Sequence, residues 1–208
     1  AFDSLTDALA AASSGDQVWI AKGTYAPETP ASRDATFNIP DGVQVLGGFE
    51  GDESSLLHRG NPLDPPVVLT GLHSSGQRVY SVVTLDSVGP ATVLDGLYIQ
   101  SGLANGTGTP GRTNGGGVYA NNSAPTLRHP VVSGCDATGA GGGTYLAGAS
   151  ADFATITDCQ LTANTSNQTG GAILTYASTT PPACAFLQHP APSRSPPPPP
   201  APDRTPGA

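Results

Sequence analysis

Gly115-Gly116-Gly117-Val118-Tyr119 returns as Gly141-Gly142-Gly143-Thr144-Tyr145 and again, reduced, as Gly170-Gly171-Ala172-Ile173, at offsets of 26 and 28 residues (142 − 116 and 170 − 142). Between these blocks runs a second recurring element: Leu94-Asp95-Gly96-Leu97-Tyr98-Ile99, then Leu127-Arg128-His129-Pro130-Val131-Val132, then Ile156-Thr157-Asp158-Cys159-Gln160-Leu161. A partial fourth copy, Cys184-Ala185-Phe186, falls on Cys159-Gln160-Leu161 at an offset of 25 (184 − 159). Self-similarity at such a period marks a solenoid, an array or a propeller. Within each copy the apolar side chains recur at every second position (Ile156, Cys159 and Leu161 after a turn; Leu94, Leu97 and Ile99 after a glycine), which is the period of a strand. Helical repeats would need long runs at 3.6 spacing, and the paired glycines with Asn and Thr preclude them. Short strands wound into a coil stack like positions about 4.8 Å apart, so each rung buries its inward column against the next. The expected fold is all-β, a parallel β-helix.

The ends of the chain read differently. Ser4-Leu5-Thr6-Asp7-Ala8-Leu9-Ala10-Ala11-Ala12 is a short helix with Ser4 or Asp3 as N-cap, Asp7 near its positive end and Gly15 beyond it. Its expected role is to cover the first rung, whose apolar column and backbone groups would otherwise face water. Gln17–Ala21, 35–39, 42–46, 66–70 and 79–85 are strands by their β-branched and aromatic content. From Pro181 the composition shifts, with 11 prolines in the last 28 residues, including Pro196 to Pro200. Such a segment adopts extended polyproline II with almost nothing to bury, so the tail is expected to be disordered. The organisation expected is a capping helix at 1–16, entry rungs with irregular loops at 17–93, repeated rungs at 94–186 and a proline-rich tail at 187–208.

The aromatic-ended Leu-Asp-Gly element, the Gly-Gly-Gly-x-Tyr block, Ser123-Ala124-Pro125-Thr126-Leu127 and the Cys-x-hydrophobic strand together resemble right-handed β-helix proteins with repeats of the polymorphic outer-membrane-protein type. Gly15-Asp16-Gln17-Val18-Trp19-Ile20 through Tyr25 and Gly47-Gly48-Phe49-Glu50-Gly51 resemble the entry rungs of that group, so the likeness covers residues 2 to 176. The resemblance implies a right-handed, single-stranded coil. It says little of function, because the same architecture serves adhesins, surface scaffolds and polysaccharide-cleaving enzymes. Where that group carries Asn-Cys before the inward strand, this chain has His129-Pro130 and Asp158-Cys159. The tail, with Ser195 before five prolines, resembles extensin-type wall glycoproteins.

Charge and composition exclude several roles. The chain has 208 residues, a net charge of −8, only 12% charged residues, 27 Gly and 21 Pro. An acidic chain does not bind nucleic acid or anionic membranes through charge; a cation or a neutral glycan suits it better. No apolar run approaches the roughly 18 residues of a spanning helix. Starting at Ala1 without Met, the chain reads as a processed or excised piece. Four sequons, at Asn105, Asn121, Asn164 and Asn167, lie among glycine turns expected to expose them to glycosylation.

Catalytic constellations are sparse. A polysaccharide lyase needs a base and acidic cation ligands, and a hydrolase needs paired carboxylates. In the repeat alignment Asp95 sits over Arg128 and Thr157, and Asp158 over His129 and Gly96, so no column stacks two carboxylates. Asp158 with His129 is the nearest approach to an acid–base pair. Glu50, Asp52 and Glu53 cluster as oxygen donors for a divalent cation, but their spacing matches no EF-hand and a solvated acidic turn is the simpler reading. His58, His73 and His189 lack metal-ligand spacing, no cysteine pair forms a zinc pattern, and the glycine blocks lack a phosphate loop's Lys-Ser/Thr ending. Neither metal nor cofactor is expected. Cys159 and Cys184 should stack on consecutive rungs within disulfide range or as small core side chains, whereas Cys135 aligns with Asn164 and should be unpaired.

Two functional expectations follow. One is a non-catalytic, secreted or surface-exposed segment of an extracellular, cell-wall or matrix protein, a structural or adhesive rod meeting other proteins or glycans. Its incomplete last rung invites self-association or strand addition. The other is a carbohydrate-active β-helix enzyme of pectate-lyase or hydrolase type.

Overall fold

A computed structural model describes residues 1–27, 32–64, 66–148, 154–176, 178–179 and 185–187. The expected tail, 187–208, lies outside the described residues apart from Leu187. The chain forms a parallel β-solenoid with three faces, and every pairing between its strands is parallel. The first face is a 6-stranded sheet of Gln17–Ala21, Gln44–Phe49, Val93–Asp95, Thr126–Arg128, Ala154–Thr157 and Ser178–Thr179. The second is a 6-stranded sheet of Gly23–Tyr25, Val67–Thr70, Tyr98–Gln100, Val131–Ser133, Gln160–Thr162 and Ala185–Leu187. The third is a 5-stranded sheet of Phe37–Asn38, Val83–Asp86, Val118–Asn121, Thr144–Ala147 and Ile173–Tyr176. A 3-stranded corner of Leu103–Ala104, Asp136–Ala137 and Thr165–Ser166 joins the second face to the third.

The alternation read from the sequence is what fills the interior. Val45, Leu94, Leu127 and Ile156 stack in one buried column, and Leu69, Ile99, Val132 and Leu161 in another. Each such side chain, withdrawn from water by the rungs on either side, contributes about 1.5–3 kcal/mol. The sheets run across residue 93 without a break, since strand Val93–Asp95 pairs with both Gln44–Phe49 and Thr126–Arg128.

The glycine blocks lie where rungs meet most closely. A Cβ on Gly117 would stand 2.5 Å from the carbonyl oxygen of Gly143 and 2.6 Å from Val132 Cγ1, so nothing larger than hydrogen fits there. Between the first and second faces three successive coils turn on a residue with positive φ: Gly96 (73°), His129 (47°) and Asp158 (52°). Glycine, Asp and His are among the residues that best tolerate this conformation, so the turn places His129 and Asp158 outside the coil, one rung apart.

The helix spans Leu5–Ala11 with Ser4 as its N-cap, the Ser4 hydroxyl accepting the Asp7 N–H at 3.3 Å. Leu5 and Leu9 are buried in the core, and the helix packs on strands Phe37–Asn38 and Gln17–Ala21, covering the first rung. Strand boundaries differ from expectation by more than one residue at three places. The strand read at 42–46 runs Gln44–Phe49, that at 35–39 is only Phe37–Asn38, and that at 79–85 begins at Val83. Val79 and Val82 are nevertheless buried, because the loop before Val83 folds inward and the Val79 N–H donates to the Gly71 carbonyl. Two single-turn 3-10 helices, Leu56–His58 and Pro110–Arg112, lie in inserted loops. Among the described residues no helix is long and apolar enough to cross a membrane.

Candidate functional site

His129 is held between two carboxylates. Its Nδ1 lies 2.8 Å from Asp95 Oδ1, and its Nε2 lies 3.9 Å from Asp158 Oδ2. The Asp95 side chain is 8% exposed and also takes the Arg59 guanidinium at 2.8 Å, where Arg59 is 12% exposed. Burial alone would raise the Asp95 carboxyl, but the hydrogen bonds and charges of Arg59 and His129 outweigh it, and the group lies below its ordinary value. Ionised Asp95 accepts from His129 Nδ1–H, which leaves Nε2 facing the exposed Asp158. The sequence brought His129 and Asp158 together; it did not place Asp95 in their company. Arg59 comes from the loop after the first face and reaches Asp95 across 36 residues.

The acidic turn is internally satisfied. Both Glu53 oxygens accept backbone N–H groups, from Glu50 at 2.7 Å and Gly51 at 2.9 Å, which lowers the Glu53 carboxyl below its usual range. Glu50 instead pairs with Lys22, whose pKa its hydrogen bond and charge raise. Among the described residues no group of three or more His, Cys, Asp or Glu side chains is placed to hold a metal ion. His58 is exposed, His73 lies 3.3 Å from the Ser32 carbonyl, and His189 lies outside the described residues.

Arginines from the inserted loops clamp the coil. Arg59 donates to the carbonyls of Gly47 and Asp95, and its guanidinium lies 5.6 Å from the Phe49 ring centre. Arg78 donates to the carbonyls of Ser101, Gly102 and Gly134 and pairs with Asp136 at 2.8 Å. Arg33 donates to the carbonyls of Arg78 and Leu103 and to Asn105 Oδ1, and covers the Tyr80 ring at 4.2 Å. One guanidinium thus satisfies carbonyls on several strands or turns, a task its planar fork suits.

The cysteines and sequons divide by burial. Cys159 is buried and disulfide-bonded; Cys184 lies outside the described residues. Cys135 is a free thiol aligned with Asn164, and burial pushes its pKa up to about 12. The expectation that glycine turns expose all four sequons fails at Asn164, which is 0% exposed. Its side chain accepts the Cys135 N–H at 3.0 Å and donates to the Val132 carbonyl at 2.9 Å, a core task requiring a group that both donates and accepts. Asn105, Asn121 and Asn167 are exposed.

A groove of about 310 Å³ opens on the third face. Its floor carries Thr36 and the outward residues Asn38, Thr84, Asp86 and Asn121, which neighbour one another across successive strands. Asn121 Nδ2 donates to Asp86 Oδ1 at 3.1 Å, and Thr84 to Asn38 Oδ1 at 3.4 Å. One wall is Tyr119, stacked on Tyr145 with ring centres 5.4 Å apart. A Cβ on Gly111 would stand 3.2 Å from that ring, which brings the loop close over it. The other wall is Tyr80 beneath Arg33 and Arg112, with Arg112 forking onto both oxygens of Asp34 at 2.8 Å. Burial raises the Tyr119 hydroxyl pKa, with help from Tyr145 and Asp86, so it stays protonated and able to donate. A larger hollow, about 530 Å³, lies between the N-terminal helix and the first strand, lined by Phe2, Leu5, Val18, Trp19 and Tyr25 among others.

Over residues 1–182 the chain matches the model of a family described as protein of unknown function, DUF1565. No curated protein and no solved structure matches the chain.

Proposed function

We propose, for a chain that belongs to the DUF1565 family, a non-catalytic role: a secreted or surface-exposed β-helical segment that meets protein or glycan partners through its faces. The observation that carries this reading is the state of its bases. Lys22, Arg33, Arg59, Arg78 and Arg112 are each engaged with a carboxylate or with backbone carbonyls. Arg128, outward on the first face, is exposed, has Asp95 and Thr157 as strand neighbours, and lines neither the groove nor the hollow. Proton abstraction needs a base free to take the proton inside a shielded cleft, and none of these six cations meets both conditions. The disulfide at Cys159 supports an oxidising, extracellular setting.

The Asp95–His129 pair favours a second reading, a carbohydrate-active enzyme, because a buried carboxylate fixing the imidazole tautomer is how enzymes prepare a general base. Against it, His129 lines neither the groove nor the hollow described above, and Asp95 is shared with Arg59. The experiment is turnover measured on pectate-like, glucan and sialylated polysaccharides, together with self-association against concentration. The contact reading expects no product. Turnover abolished by His129→Ala or Asp158→Asn would replace it with the enzyme.

A further inference from the structure

We infer that the groove on the third face binds a neutral oligosaccharide, laid across the rungs along the solenoid axis. The inference rests on the contact reading and gives it a site and a ligand class. Charge decides the class first. Arg33 and Arg112 are offset by Asp34 and Asp86, so the formal charges lining the groove cancel. Both guanidiniums are already engaged, Arg112 with Asp34 and Arg33 with main-chain carbonyls. An anionic polymer would meet Asp86 without an uncommitted cation to repay its desolvation, and a cationic one would meet two guanidiniums. Hydroxyl groups, which both donate and accept, face neither cost.

Hydrogen-bonding capacity points the same way. Asp86 receives Asn121 and Ser87 on Oδ1, leaving Oδ2 to accept. Asn121 keeps its carbonyl oxygen and one N–H, Asn38 keeps its amide N–H groups, and the Tyr119 hydroxyl has no partner among the described residues. These groups lie on three neighbouring strands about 4.8 Å apart, in two columns, Asn38–Thr84–Tyr119 and Asp86–Asn121, so an extended sugar chain crossing the strands would meet amide, hydroxyl and carboxylate groups side by side. Pro110 and the Tyr119 ring supply apolar surface for sugar C–H groups. At about 310 Å³ the groove sits at the small end of ligand sites, a size that suits a short oligosaccharide segment.

The intact chain, made in a host that does not N-glycosylate Asn121, is titrated calorimetrically. The probes are cello-, manno- and N-acetylchito-oligosaccharides, with oligogalacturonate as the acidic one, and each mixture is assayed for new reducing ends. We expect at least one neutral sugar to bind without new reducing ends. Asp86→Asn and Asn121→Ala should each weaken it about tenfold, the worth of one good hydrogen bond. Arg128→Gln, on a different face, should leave it unchanged. Both groove residues are exposed, so unchanged circular dichroism and Tm will show that the variants fold. No neutral binding, acidic binding as tight as neutral, or binding indifferent to both groove variants overturns the inference and leaves the contact reading standing. New reducing ends would overturn the contact reading instead, while the two groove variants still report whether the sugar sits here.

Discussion

Replacing Asp95 by Ala removes the carboxylate on which a loop arginine and a turn histidine converge, and the structure sets the size of the loss. Arg59 is 12% exposed, so its guanidinium cannot recover a full water shell once Asp95 Oδ2 is gone. Breaking a buried pair by deleting one partner costs about 3–5 kcal/mol. Arg59 keeps the carbonyls of Gly47 and Asp95, which places the expected loss near the lower end, about 3 kcal/mol, or roughly 6–12 °C in Tm. Asp95→Asn preserves the shape and one acceptor and should cost less, about 1–2 kcal/mol. The assay is urea unfolding followed by Trp19, the only tryptophan, which stacks on Phe49 with ring centres 5.0 Å apart, beside Arg59.

The same variants test the ionisation. The Asp95 carboxyl lies lower in the folded chain than unfolded, so its contribution is fully present above the ordinary carboxylate range and is lost as pH falls through the folded value. Below about pH 4 the wild type should therefore lose stability more steeply than either variant. A loss under about 0.5 kcal/mol in Asp95→Ala, or an acid limb identical in all three proteins, would refute the account of a buried, ionised clamp.

Gly117→Ala should cost about 1–3 kcal/mol or prevent folding, since its Cβ would press on the Gly143 carbonyl; Gly89→Ala, whose Cβ would meet Asp41 Oδ1 at 3.6 Å, is the tolerated control in a melting experiment. Cys135, with its pKa pushed up to about 12 by burial, should resist iodoacetamide at pH 8 until denaturant is added. Cys159 should label only after reduction, and the 25-residue spacing names Cys184 as the partner to seek by non-reducing peptide mass mapping. Arg33→Ala should speed hydrogen exchange in residues 105–114 while leaving exchange in strands 83–86 and 118–121 slow, because Arg33 joins the loop to carbonyls and core strands lie beneath it.

What was legible in the sequence was whatever repeats. Inward columns, the glycine contacts and the turn shared by Gly96, His129 and Asp158 follow from period and alignment, because each coil imposes the same steric demand on equivalent positions. The arginine clamps do not repeat, and their partners lie 12 to 72 residues away, so no periodicity exposes them. A compositional hint was present: seven arginines against the single Lys22 in a chain with little charge, with Arg33, Arg59 and Arg78 all in loops. Asn164 stands in a sequon among glycine turns, and those turns are what predicts exposure. Its inward direction shows only when Cys135 and Asn164 are placed on consecutive rungs, where the buried Cys135 N–H requires an acceptor.

The placement of the groove follows from the same division between what repeats and what does not. A stack of identical rungs makes flat faces, and a flat face offers a ligand contacts from one side only, with water free to compete on the other. Walls must come from insertions, and an insertion that is not tied down spends any binding energy on ordering itself. Here the loops of the first two coils are tied by Arg33, Arg59 and Arg78 to carbonyls that the coil already fixes. Of these, Arg33 stands over the third face together with Arg112, and it is there that the outward residues Asn38, Thr84, Asp86 and Asn121 gain walls. The clamps therefore do two jobs with one set of charges. They hold the irregular loops to the rod, and by consuming the cations they leave a groove whose remaining chemistry is amide, hydroxyl and a charge-balanced pair of carboxylates, suited to recognition and poorly suited to proton transfer.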